Sequence, residues 1–499
     1  MRVIIPLLVV LPLFAAGVSM ALWRRLLLQQ VLGVLVVATG LVLAVVVLVE
    51  VAEGGPVAVA IGGWPAPIGI TLVADLLSAL LLTISMATVL AVLLYAIGQP
   101  RADKRAFYFH PLYLVLTAGV ALSFLTGDLF NLFVAFEIVL TASYVLITMG
   151  GDREQVRSGM TYVVINLLAS TLLVTGVGLI YAATGTVSMA DLAGRLGDIA
   201  PAVRNALGLL LLVAFGTKAA IFPLFFWLPD SYPTAPVTVT AVFAALLTKV
   251  GVYSIIRTQT LLFPGEGGGS STLLLGVAAA TMVVGVLGAI AQDDMKRILS
   301  FHIISQIGYM IFGLGLSTIA GLAAAILFIV HHIPVKTGLF LVTGMVETTT
   351  GTAALHSLGG LLRRTPVTAV LFLLVGLNLA GLPPFSGFIV KLALVQAGMA
   401  VGAWTVTGIS LAVSALTLFS MVKIWGGVFW GSPEEEPPLE SARGDGPLRP
   451  PRLMTAATAA LVGVTLLIAL GARPLWDLAG RAAADLVARD AYVEAVLGS

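Results

Sequence analysis

The stretch from Asn205 to Pro229, NALGLLLLVAFGTKAAIFPLFFWLP, is long and apolar enough to cross a bilayer, yet it carries Lys218 near its middle and prolines at 223 and 229. A crossing helix needs about 20 mostly apolar residues, and a charge facing lipid is costly. The stretch therefore reads as a membrane span that proline interrupts and that turns its amine toward a polar interior. The later half holds a second such place, where Gly381-Leu382-Pro383-Pro384-Phe385-Ser386-Gly387 precedes Lys391. Lys218 stands before its proline break and Lys391 after its own, so the order is mirrored along the chain. Interrupted spans in corresponding positions of two halves predict a transporter of inverted repeats with its ion path at the breaks.

The rest of the chain agrees with a membrane protein. Of its 499 residues, 59% are hydrophobic and 10% charged, whereas soluble domains carry about 25% charged residues. There is no cysteine, which excludes disulfides, thiolate-ligated iron–sulfur clusters and cysteine-bound zinc. Any electron transfer would occur in another subunit. The 26 basic and 24 acidic residues are too balanced to suggest nucleic acid as a partner. No nucleophile triad, phosphate-cradling glycine loop or dinucleotide fingerprint occurs in the strand and helix context those sites need. The chain is expected to be no enzyme and to hold no cofactor.

Fourteen apolar stretches predict an all-α protein, near 3–22, 30–50, 71–97, 110–127, 129–149, 161–183, 205–229, 236–260, 273–291, 298–317, 320–344, 367–400, 404–430 and 452–472. Residues 1–109 form a three-helix N-terminal segment, and 110–262 and 272–430 form two units of five spans. An odd number of spans makes the second unit start from the opposite face. Residues 432–451, with Glu434-Glu435-Glu436-Pro437-Pro438, read as a polar linker, and 452–499 as the last span and a tail. That tail alternates apolar and charged residues, as either an interfacial amphipathic helix or a plain surface tail would. Ser19-Met20-Ala21 resembles a leader cleavage site, but Arg24 and Arg25 follow at once and favour a retained anchor. Odd-numbered loops hold fourteen basic residues, while the termini and even-numbered loops hold seven, Arg257 among them. The positive-inside rule then puts both ends outside the cytoplasm.

Five cations remain for the spans: Lys218, Lys249, Lys336, Lys391 and Lys423. All are lysine, although the chain has seven lysines against nineteen arginines. Arginine stays protonated in proteins, whereas a lysine taken out of water can give up and regain its proton. Lys423 lies near a span end, where snorkelling accounts for it. Glu137 is the one carboxylate well inside a span, for proton chemistry or for an ion pair that locks two helices; Asp75, Asp128 and Asp230 lie nearer span ends. His332 and Lys336 share a helix face, with His331 adjacent. His302, Ser305, Gln306 and Tyr309 form a polar stripe that fits a proton path or ordinary interhelical bonding. Metal binding by His331 and His332 is disfavoured, because adjacent residues diverge on a helix and no carboxylate lies one turn away.

Several motifs carry a family resemblance: Gly127-Asp128-Leu129-Phe130-Asn131-Leu132-Phe133-Val134-Ala135-Phe136-Glu137, Thr248-Lys249-Val250-Gly251-Val252-Tyr253, Asp294-Met295-Lys296-Arg297-Ile298-Leu299-Ser300, Ser305-Gln306-Ile307-Gly308-Tyr309 and His331-His332-Ile333-Pro334-Val335-Lys336. They resemble the antiporter-like subunits of respiratory complex I and, more closely, the D-type subunits of multisubunit Mrp Na⁺/H⁺ antiporters. The resemblance implies fourteen helices, a glutamate on the fifth paired with a lysine on the broken seventh, and further lysines on the eighth and twelfth. By motif match these are Glu137, Lys218, Lys249 and Lys391, with His332 and Lys336 linking the halves. It also implies a bacterial cell membrane, H⁺ and Na⁺ as transported ions, and partner subunits, namely a large A-type subunit and small membrane subunits. The absence of a long lateral C-terminal helix favours the D-type. The alternatives are a proton-pumping subunit of a redox complex, and an assembly scaffold whose buried charges only pack helices. No converging set of oxygens marks a Na⁺ site in the chain.

Overall fold

The structure, a computed structural model, describes residues 1–99, 106–264, 269–431 and 449–498. Most of the expected 432–451 linker lies outside the described residues, as do Arg101, Lys104, Arg105 and Arg443. The helices are α1 (Ile4–Ala21), α2 (Leu26–Gly54), α3 (Leu76–Gly98), α4 (Ala106–Leu125), α5 (Leu129–Thr148), α6 (Arg153–Thr184), α7 (Pro201–Ala219), α8 (Val237–Leu261) and α9 (Gly269–Ile290). They continue with α10 (Met295–Gly315), α11 (Ile319–Thr350), α12 (Pro366–Ala380), α13 (Ser386–Ala400), α14 (Trp404–Trp425), α15 (Arg452–Leu470), α16 (Ala472–Ala488) and α17 (Asp490–Leu497).

Among the described residues, thirteen helices are long and apolar enough to cross a membrane. The apolar helices α12 and α13 are shorter and follow one another through Gly381–Phe385. Both interruptions fall where proline predicts them. At the first, α7 ends just past Lys218, Ala220 turns left-handed at φ 60°, and the chain runs through Pro223 into a short helix at Trp227–Ser231.

The acids near span ends have a local task. Asp75 closes a capping box with Ser78 at the start of α3. Asp128 accepts from the Asn131 N–H at 2.7 Å and Asp294 from the Arg297 N–H at 2.9 Å, capping α5 and α10. Each satisfies a backbone donor that the helix start leaves free.

Burial sorts the helices. The spans of α8 and α11 are covered on every side and α10 nearly so, while α1, α2, α6, α9, α14 and α15 keep most of their apolar surface outward. A helix apolar all round suits either lipid or a protein core. The polar residues distinguish the two here, for they concentrate on α8, α10 and α11.

The architecture is helical as expected, with one short hairpin: β1 (Val57–Ala60) and β2 (Thr71–Ala74) pair antiparallel, with Val57 opposite Ala74, so α3 begins only at Leu76. The placement of one cation needs correction. Arg257 is not a loop cation. It lies inside α8, 2% exposed, with Nη1 at 2.6 Å from Asp75 Oδ2. The tail is helical and docked on the bundle: α16 packs against α11, α3 and α8 and buries Ala479, Ala482, Ala483 and Leu486. Tyr492 on α17 lays its ring over the Arg257 guanidinium at 5.0 Å.

Candidate functional site: a row of buried amines

The row begins where α5, α6 and α7 meet. Glu137 on α5 is half-buried and accepts a hydrogen bond from the Ser170 hydroxyl of α6. Lys218, in the last turn of α7, is buried and donates from Nζ to Ser170 Oγ at 3.0 Å. Its amine also sits over the Phe136 ring at 5.0 Å, a cation–π contact. No direct Glu137–Lys218 ion pair occurs among the described residues; Ser170 stands between them.

From there α8 carries the row inward. Gly251 packs so tightly on Ala219 that a Cβ would lie 2.6 Å from the Ala219 nitrogen, which holds α8 against the end of α7. Lys249, one half-turn away, is fully buried and donates to the Ala244 carbonyl and, at 3.4 Å, to Thr248 Oγ1. On α11, Lys336 and both ring nitrogens of His332 make no hydrogen bond to any described residue. His332 is nonetheless within electrostatic reach of Lys249, Lys336, His331 and Lys391.

The second break closes the row. Gly381 turns left-handed at φ 86°, and a Cβ there would meet Lys391 Cδ at 2.7 Å; glycine thus serves both the turn and the amine's path. Lys391 Nζ donates to the carbonyls of Leu379 and Ala380, both at 3.0 Å, and to Ser414 Oγ at 3.1 Å. These are the carbonyls that the interrupted helix leaves without partners. His331 Nδ1 bonds Ser386 at 2.8 Å, and Ser386 bonds Asn378 Oδ1 at 3.2 Å across the break.

The α10 stripe divides. Tyr309 lies under Lys391, ring centroid 5.2 Å from Nζ, and donates to the Ser410 carbonyl at 2.6 Å. His302 Nε2 bonds Ser420 at 2.9 Å and is within reach of Lys336 and Lys391. Gln306 Nε2 has no described partner. Ser305 donates to the Met282 carbonyl of α9 at 3.1 Å. Lys423 reaches the α9–α10 connection, with Nζ 2.8 Å from Asp293 Oδ1 and bonded to the carbonyls of Ile290 and Gln292. It sits at its helix end, as its position predicts.

Sequence reading missed Ser170, Ser386, Ser414, Ser420 and Asn378. Serine in an apolar helix gives no sign of whether it bonds its own helix or a neighbour. No group of three potential metal-ligating side chains occurs among the described residues.

Residues 126–417 match the family model described as NADH:quinone oxidoreductase/Mrp antiporter, TM. Over 99% of both chains, the sequence is 41% identical to the D-type chain of the Na⁺/H⁺ antiporter of Alkalihalophilus pseudofirmus, and it is 38% identical to that of Bacillus subtilis at the same coverage. The fold superposes with a TM-score of 0.92 on a chain of the Mrp complex from Dietzia sp., at 36% identity and 99% coverage of both chains. A chain of the membrane-bound sulfane sulfur reductase, an archaeal respiratory membrane complex, follows at 0.89 and 28%. The chain belongs to the NADH:quinone oxidoreductase/Mrp antiporter membrane family and, within it, to the D-type branch of the Na⁺/H⁺ antiporter chains.

Proposed function

We propose that this chain is the proton-translocating subunit of a multisubunit monovalent cation (Na⁺)/proton antiporter in a bacterial cell membrane. Its partners are an A-type large subunit and small membrane subunits. Protons move along Glu137, Lys218, Lys249, His332, Lys336 and Lys391, with His302, Ser305, Gln306, Tyr309 and His331 beside the path. The units 110–262 and 272–430 are inverted repeats around the two breaks, and both termini lie on the outer side.

The observation that carries this reading is that Lys218, Lys249, Lys336 and Lys391 are all buried, and none has a carboxylate within ion-pair distance among the described residues. A scaffold would pair such charges, because an unpaired buried charge costs several kcal/mol. Lysines among hydroxyls, carbonyls and imidazoles can instead exist charged in turn, each passing its proton to the next. A membrane potential of about 150 mV supplies roughly 3.5 kcal/mol per charge moved across it, enough to drive such exchange. A place in a redox complex is the less favoured reading, since identity drops to 28% for the respiratory relative.

The test is cation-driven proton flux in inverted vesicles that carry the complete complex. Glu137→Ala and Lys218→Ala should each abolish exchange while the complex still assembles. Normal flux in either variant would overturn the assignment.

A further inference from the structure

We infer that the Ser170 hydroxyl is the relay through which Glu137 and Lys218 exchange a proton, an inference that rests on the proton-translocating reading above. Serine and threonine inside this protein's helices mostly return their hydroxyl to their own helix. Thr171, the next residue, donates to the Leu167 carbonyl at 2.9 Å, and Thr175 donates to that of Thr171 at 2.7 Å. Ser170 does neither: it donates to Glu137 on α5 and accepts from Lys218 on α7 at 3.0 Å. A hydroxyl has one donor and two acceptor positions, and these are the directions of hydrogen bonding that a carboxylate and an ammonium require.

The placement is specific to one part of α6. Its buried face is polar at Tyr162, Asn166 and Ser170, spaced by four, and then apolar at Leu173, Val177 and Ile180. Ser170 is the last polar group on that face and the one that touches both ionisable side chains. In the step proposed, a proton passes from Lys218 Nζ to Ser170 Oγ as the hydroxyl proton passes to Glu137 Oε1. One N–H and one O–H bond break and two O–H bonds form. The ammonium and carboxylate become a neutral amine and a neutral acid, and the serine is regenerated. The bulk of the serine keeps the two charges from closing into a direct pair, which would trap the proton on the lysine.

The test uses the complete complex in inverted vesicles, with cation-driven proton flux read across pH. Ser170→Ala should reduce exchange by about tenfold or more, as loss of a positioned proton-transfer group does, and should move the pH of half-maximal exchange. Ser170→Thr, which keeps the hydroxyl, should restore both. Unchanged rate and pH profile in Ser170→Ala, or a Ser170→Thr variant as impaired as Ser170→Ala, would overturn the relay. Should Ser170→Ala fail to assemble, Ser170→Gly, which also removes the hydroxyl, decides: loss of exchange in an assembled complex supports the relay, and wild-type exchange overturns it. A Glu137→Ala arm separates the two levels. If that variant exchanges normally, the proposed function itself fails; if it is inactive while Ser170→Ala is normal, only the relay fails.

Discussion

Lys249 and Arg257 stand on the same buried helix, about 12 Å apart along its axis, and the protein treats them in opposite ways. Arg257 is held from every side: Asp75 Oδ2 at 2.6 Å, the Tyr253 hydroxyl at 3.3 Å, and the rings of Tyr253 and Tyr492 at 5.4 and 5.0 Å. Lys249 has a carbonyl and a distant hydroxyl and, among the described residues, no carboxylate partner. A charge that fixes shape is a permanent cation with a permanent counter-ion. A charge meant to come and go is a lysine among neutral acceptors, since a fixed anion beside it would hold its proton in place. The same contrast separates the two arginine-free breaks from the tail, where α16 and α17 close over the Asp75–Arg257 pair.

Breaking each side of this comparison should give different losses. Lys249→Met removes the working charge and should lower cation-driven proton exchange by about a hundredfold or more, with assembly preserved; flux in reconstituted vesicles measures it. Arg257→Met should leave Asp75 buried and alone, costing about 3–5 kcal/mol and lowering the melting temperature and yield of the complex. Adding Asp75→Asn should recover most of that loss. Gly381→Ala forces a left-handed turn on an L-residue, a cost of about 1–2 kcal/mol, and displaces Lys391, so both thermal stability and flux should fall. Tyr492→Leu removes the ring over the guanidinium and should cost about 1 kcal/mol, seen as earlier proteolysis of the tail.

The smallest effect is a pH dependence of tail docking. Burial, and then the Asp75 charge, hold the Asp485 carboxyl above its usual range, against the opposing pull of Arg481. The docked tail therefore binds that proton more readily than the free tail does. Docking should strengthen as pH falls from neutral through the raised value toward that of a free carboxyl, about 3.9. Asp485→Asn should flatten this dependence and tighten docking at neutral pH. Protection of the tail from protease across pH measures both.

Much of this was legible in the chain itself. Long apolar runs predict the crossings, Pro223 and Pro383-Pro384 predict the breaks, and lysine inside an apolar run marks the row, because lipid permits few readings of such a residue. What the chain hides is partnership. Arg257 near the end of an apolar run looks like a loop charge until Asp75, far away in sequence, is seen against it. The tail's alternation of apolar and charged residues gives no sign that one face of it docks on α11, α3 and α8. Ser170 and Thr171 are adjacent hydroxyl residues, yet one bonds across helices and the other within its own.

The most direct test is Lys249→Arg in the intact complex, with cation-driven proton flux measured in inverted vesicles. Arginine keeps the positive charge and gives up no proton, so the account predicts a complex that assembles normally and does not exchange. Wild-type exchange with arginine at this position would contradict it, because fixed charge would then suffice.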